Sequence, residues 1–163
     1  MYISKLKLRN WRNFTRAEID FQETVYIIGP NASGKSNLLD IFRFMRDIVN
    51  PKGGGLQQAL SSRGGLSKVR SLAARKPARI ELEFDLRESL AGESTQPDWK
   101  YVLWINYERG GKRRPIVLKE EAYAKGQQLF ARPGAEDLSD RELLTQTYLD
   151  VTGRVKVVHL GAG

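Results

Sequence analysis

The chain has 163 residues and a mass of 18.5 kDa, with 40% apolar and 28% charged residues, the balance of one globular domain. It carries 27 basic against 19 acidic residues, net +8, with no Cys and a single His. That excludes a disulfide framework, a thiolate nucleophile and a zinc site built on sulfur, and leaves any serine triad dependent on His159 alone. No apolar run approaches the ~18 residues of a membrane span, and the N-terminus lacks a signal-peptide core. A cytoplasmic protein with no membrane partner is expected.

Residues 2–8 alternate toward their end, with Leu6 and Leu8 opposite Lys5, Lys7 and Arg9, the pattern of a half-buried strand. Asn10 to Asn13 is turn-prone. Residues 15–21 alternate again, so an N-terminal antiparallel pair is predicted. Val25 to Ile28 is a short continuous apolar run, as expected of a strand buried on both faces. Asn37 to Val49 then reads as a helix, with Leu38, Leu39, Ile41, Phe42, Met45 and Ile48 at helical spacing. Asn50-Pro51-Lys52-Gly53-Gly54-Gly55 ends it.

Residues 56–77 read as a loop with a helical turn near Leu56–Leu60. Strand patterns follow at Arg79–Leu86, Tyr101–Tyr107, Pro115–Tyr123 and Gln128–Ala131, with turns at Gly110-Gly111 and Lys125-Gly126. Ser139, with Glu142 three residues on, has the spacing of a capping box opening a helix. Val155–Val158 has the composition of one more short strand. Residues 1–160 are expected to form one lobe, and 161–163 a loose end or linker.

Between the apolar run and the first helix lies Gly29-Pro30-Asn31-Ala32-Ser33-Gly34-Lys35-Ser36, which fits GxxxxGK[ST]. Glycines let the backbone wrap closely enough for successive N–H groups to meet phosphate oxygens. The following helix adds its N-terminal donors and the positive end of its dipole. Lys35 supplies a compact charge for the β- and γ-phosphates. The Ser36 hydroxyl is a hard oxygen ligand suited to Mg²⁺. Binding of ATP with Mg²⁺ is therefore expected here.

Two stretches contain no acid. Between Asp47 and Glu81 stand Lys52, Arg63, Lys68, Arg70, Arg75, Lys76 and Arg79. Between Glu108 and Glu120 stand Arg109, Lys112, Arg113, Arg114 and Lys119. If they share one face, it suits a phosphate polyanion such as DNA. Trp11, Trp99 and Trp104 are candidates to stack a base.

The segment from Ile28 to Asp40, together with the lead-in Leu6-Lys-Leu-Arg-Asn-Trp-Arg-Asn-Phe14, resembles the start of an ABC-type ATPase head of the RecF/SMC/OLD group. Leu60-Ser-Ser-Arg-Gly-Gly-Leu-Ser-Lys-Val-Arg70 is similar to a segment of the predicted AAA-family ATPases of bacteria. The resemblance implies an α/β fold: a P-loop NTPase half-domain, with the P-loop strand and helix set in a β-rich N-terminal lobe. It implies an ATPase of DNA repair or phage defence. Asn31 and Asn37 match motif positions of the group, and Asn10 and Arg12 match a lead-in that lies near the nucleotide.

Other parts of the group's pattern are missing. No run of four apolar residues ends in Asp-Glu, and no LSGGQ-like signature occurs. His159 takes no switch role, and Gln57, Gln58, Gln128 and Gln146 all stay open as the glutamine-loop residue. The resemblance places the absent parts in a C-terminal half. It implies that half as a partner, a homodimer closed around ATP, and no turnover by this chain alone. Two other readings exist: a small P-loop kinase, and an electrostatic nucleic-acid-binding module. A kinase calls for more helix and an Arg-bearing lid. The module reading leaves the intact Lys35 and Ser36 without a task. A GTPase is excluded by the lack of Asn-Lys-x-Asp.

Overall fold

A computed structural model describes residues 1–76, 78–89, 95–110 and 113–149. Six strands form one antiparallel sheet. In chain order they are β1 (Tyr2–Trp11), β2 (Phe14–Asp20), β3 (Ile80–Arg87), β4 (Trp99–Tyr107), β5 (Pro115–Ala124) and β6 (Gln127–Arg132). Their order across the sheet is β2-β1-β3-β4-β5-β6. Helices α1 (Lys35–Ile48), α2 (Leu56–Ser61) and α3 (Leu66–Val69) fall between β2 and β3. Helix α4 (Ala135–Ser139) and a 3-10 turn (Arg141–Thr145) follow β6. Four strands thus follow the P-loop helix, which disfavours a helix-rich kinase.

The period-2 pattern explains the sheet. Leu6 and Leu8 face Phe84 and Leu82 in register, and these face Tyr101 and Leu103 in turn. One apolar face results. Against it pack Leu38, Ile41, Phe44 and Ile48 of α1, with Leu56, Leu60, Leu66 and Val69 from the short helices. Trp11 is fully buried, its ring 5.1 Å from that of Phe44. Each such side chain contributes roughly 1.5–3 kcal/mol of transfer free energy. The outer face is a ladder of charge: Lys5, Lys7 and Arg9 of β1 stand beside Asp85, Glu83 and Glu81 of β3. A one-residue slip would turn this ladder into the core, so it specifies register more than it stabilises.

Beyond β6 the chain is tied back by one buried carboxylate. Glu120, fully buried, accepts from the Tyr101 hydroxyl at 2.7 Å, from Arg132 at 3.1 Å and from the backbone N–H of Tyr148. Burial pushes Glu120 above its ordinary range, although these donors pull the other way. Arg132 also donates to Asp137 and to the carbonyls of Leu143 and Gln146.

Three expectations are corrected. Val25–Ile28 is not a buried strand: it pairs with none of the described strands, and Tyr26 and Ile28 are 84% and 91% exposed. Its composition suits a central strand, but a strand also needs neighbours on both edges, and no described strand lies there. Ser139 does not open a helix. It closes α4, its hydroxyl donating to the Glu136 carbonyl, while Asp140 caps the 3-10 turn by accepting from the Glu142 N–H. The Asp140 carboxylate, one residue nearer, reaches that donor. On α1, Phe44 is buried and Leu39 is 42% exposed, because Phe44 continues the Ile41–Ile48 stripe. The Val155–Val158 strand and His159 lie outside the described residues.

Asp137 supplies a pH test. Burial pushes its carboxyl up, but the Arg132 guanidinium and the Gly134 N–H outweigh that and hold it below its ordinary value. Its contribution is therefore present above the ordinary carboxylate range and is lost as pH falls through the depressed folded value. In urea melts, the stability gap between wild type and Asp137→Asn should be widest near neutrality and close in acid. A gap independent of pH would contradict the assignment.

Candidate nucleotide-binding site

The P-loop runs from the exposed Val25–Ile28 segment to α1. A turn at residues 31–34 compacts it, with the Ser33 N–H donating to the Pro30 carbonyl at 3.3 Å. Ala32 and Gly34 take left-handed backbone, with φ of 65° and 97°. Gly34 is the N-cap of α1, which has no side-chain cap and no acid in its first turn. The positive end of the helix is therefore not neutralised by its own residues, as an anion site requires.

The Lys35 ammonium donates to the carbonyls of Gly29 and Pro30 and lies 3.5 Å from the Ser33 hydroxyl. Ser36 is exposed, with its side chain on the first turn of the helix. Gly29, Pro30, Asn31 and Ala32 are exposed around the loop. The residue set fits a magnesium-bound phosphate chain: a bare helix end, one ammonium and one hydroxyl, with phosphate and water left to complete the metal's oxygen shell. Among the described residues no cluster of three or more His, Asp or Glu forms a metal site of its own.

The β1–β2 turn presses on this loop. A Cβ at Gly34 would lie 2.6 Å from the Asn13 amide nitrogen and 3.1 Å from the Phe14 ring. Asn13 accepts from the Asn37 amide at 2.8 Å, and the Asn37 carbonyl accepts from the Trp11 indole at 3.0 Å. Asn13 and Phe14 are thus site residues that lie outside the GxxxxGK[ST] motif. Their signal was their place in the same Asn-Trp-Arg-Asn-Phe lead-in that supplied Asn10 and Arg12.

Those two residues sit differently. Asn10 is buried, and its amide donates to the Arg79 carbonyl at 2.7 Å. Arg12 pairs with Asp40 of α1 at 3.1 Å and donates to the Lys68 carbonyl at 3.3 Å. Arg63 joins the same network, binding Asp40 and Asp47 at 2.9 Å each. Burial raises Asp47, but Arg46 and Arg63 together hold it below its ordinary value. Gln57, one of the glutamine-loop candidates, donates to the carbonyls of Pro115 and Thr145. Trp11 is core, and Trp104 lies between the Arg79 and Lys119 cations, 4.0 and 4.8 Å from its ring centre. A cavity of about 420 Å³ lies on the outer face of the sheet beside Trp104 and does not include the P-loop.

The AAA ATPase domain family matches residues 1–142, which include the whole loop and the sheet beside it. The chain belongs to this family. Over part of its length the chain is also similar to RecF proteins. The DNA replication and repair protein RecF of Synechocystis is 34% identical over 91 residues, which are 55% of this chain and 23% of that protein. RecF of Acaryochloris marina is 27% identical over 88 residues, 53% of this chain and 24% of that protein. RecF of Bacillus thuringiensis is 46% identical over 41 residues, 24% of this chain and 11% of that protein. The matches thus span about a quarter or less of those relatives. One solved chain, described under "Structural biochemistry of ATP-driven dimerization and DNA stimulated activation of SMC ATPases", aligns over 80% of this chain and 73% of its own, at 18% identity and TM-score 0.46. No helix among the described residues of this family member is long and apolar enough to cross a membrane.

Gly34 can be tested directly. Gly34→Ala should cost about 1–2 kcal/mol for the left-handed backbone. It should cost more because the Asn13 amide must swing off Asn37. In urea melts, Asn13→Ala in the same chain should recover the second part only, so the two changes should couple.

Proposed function

We propose that this chain binds Mg-ATP as the phosphate-gripping segment of a RecF/SMC-like ATPase that acts on DNA, in repair or in phage defence. One observation carries the proposal: an intact P-loop opens onto a helix end that has no acid and no cap of its own. Residues 29–34 turn backbone N–H groups toward the phosphates, and Asn31 and Asn37 border them. Lys35 exchanges two loop carbonyls for the β- and γ-phosphate oxygens. Ser36 is the protein's ligand to the magnesium ion, which neutralises phosphate charge when bound. Arg12 stands beside α1 as the nearest cation of the lead-in turn. Asn10 acts by holding that turn to the start of β3.

Residues 1–160 make the N-terminal lobe, and catalysis waits on a C-terminal half. No described acid stands at the end of a buried strand beside the loop, where an attacking water could be positioned. The exposed run Val25–Ile28 supports the same reading, because its side chains and backbone suit a sheet completed from outside. A homodimer closed over ATP, working in the cytoplasm, completes the assignment. It takes its support from the resemblance to RecF and SMC heads.

Calorimetry tests the binding. Lys35→Ala should weaken ATP at least tenfold, about 1.4 kcal/mol. Equal affinity in wild type and variant would overturn the site. The purified chain should turn over no ATP until a C-terminal half is supplied. Steady hydrolysis by the chain alone, lost in Lys35→Ala, would show that the catalytic groups already lie within it.

A further inference from the structure

The two acid-free stretches meet in space. Tyr107, at the end of β4, accepts from the Ser67 N–H at 3.1 Å through its hydroxyl. Its ring holds Arg70 of the first stretch and Arg113 of the second, the guanidinium carbons 5.8 and 5.4 Å from its centre. Arg70 also donates to the Asn106 side chain and to the Ala78 carbonyl, which holds Ala78 at the same end of the sheet. Trp11 and Arg70 form a β-bridge, so this end continues directly from the turn that covers the P-loop.

Charge is neutralised unevenly over the molecule. On the outer face Lys5, Lys7 and Arg9 each pair with carboxylates. Arg79, Arg114 and Lys119, from the same two stretches, are also paired. Lys68, Arg70, Arg75, Lys76, Arg109 and Arg113 form no ion pair with a described carboxylate, and all but Arg70 are exposed. Arg16, Arg43, Lys52 and Lys125 are also unpaired among the described residues, but only at Tyr107 do unpaired cations of the two stretches share one ring.

We infer that this strand-end patch, centred on Lys68, Arg70, Tyr107 and Arg113, grips the phosphodiester backbone of double-stranded nucleic acid. The inference rests on the reading of the protein as one that acts on DNA, and it adds the surface and the mode of contact. The aromatic rings set the mode. Tyr107 is covered by two guanidinium groups and Trp104 by Arg79 and Lys119, so their faces already carry the protein's own cations. A stacked guanidinium keeps its N–H edge for a phosphate and loses less freedom on binding than a free one. Contact is therefore through phosphates and independent of sequence.

The test is fluorescence anisotropy of a short labelled duplex over a series of salt concentrations. The wild-type chain should bind weakly, with log affinity falling linearly in log salt. Lys68→Gln with Arg113→Gln should flatten that slope by about 2, two contacts at roughly 0.9 each. Lys5→Gln with Lys7→Gln removes the same charge from the paired outer face and should leave the slope near wild type. Both pairs lie away from the core, and matching melting temperatures show that each variant is folded. Duplex binding with an unchanged slope in the Lys68/Arg113 variant overturns the patch and leaves the DNA reading standing. No duplex binding by wild type overturns both. Capture of anionic vesicles, with no duplex binding and loss in the same variant, overturns nucleic acid as the partner of this surface.

Discussion

The contact between the β1–β2 turn and the first turn of α1 governs the rest of the molecule. The turn lies on Gly34, where only a hydrogen can stand between the helix cap and the Asn13 side chain. Hydrogen bonds from Trp11 and Asn37 fix the helix start against the sheet. Arg12 and Arg63 then tie the next turns through Asp40 and Asp47. A P-loop needs its backbone held in one shape before the ligand arrives, because ordering it at binding would subtract from affinity. Here the rigidity comes from a neighbouring hairpin, since the loop itself is exposed on its other sides.

The same contact explains the dense use of polar residues beside the core. Asp40 accepts from two arginines that arrive from opposite directions in sequence. Arg63 is nearly buried, lies over the Phe44 ring and donates to the Ala59 carbonyl. Such a network adds little net stability over an apolar packing of the same volume. What it adds is a fixed relation between elements that also meet in the apolar core.

Much of this was legible in the sequence, for physical reasons. Strands with one wet face write their alternation openly, so Leu6, Leu8, Leu82 and Phe84 declared their face, while the register of β1 on β3 came from the structure. The P-loop was legible because its chemistry needs particular residues at fixed spacing, Gly34-Lys35-Ser36 above all. Asn13 was not, since an exposed Asn in a turn looks the same whether or not it covers a helix end. The meeting of Arg70 with Arg113 was hidden as well: periodicity says which face a residue takes, not which distant loops end beside one another. Val25–Ile28 misled because hydrophobicity reports fitness for burial, while a strand exists only through its partners. Glu120 gave no sign of being buried, as its donors come from β4, β6 and the segment after the 3-10 turn.

Val25–Ile28 also bears on the behaviour of the chain in concentrated solution. Four consecutive apolar residues, three of them β-branched, stand with no described strand paired to them. This is the composition that seeds edge-to-edge association between identical chains. The segment is bounded by Glu23 on one side and by Gly29-Pro30 on the other. A charge repels its own copy in a stacked register, and a proline cannot donate to the next strand. These flanks cap the stretch at a length too short for a stable zipper, so it is kept from pairing with its own copy.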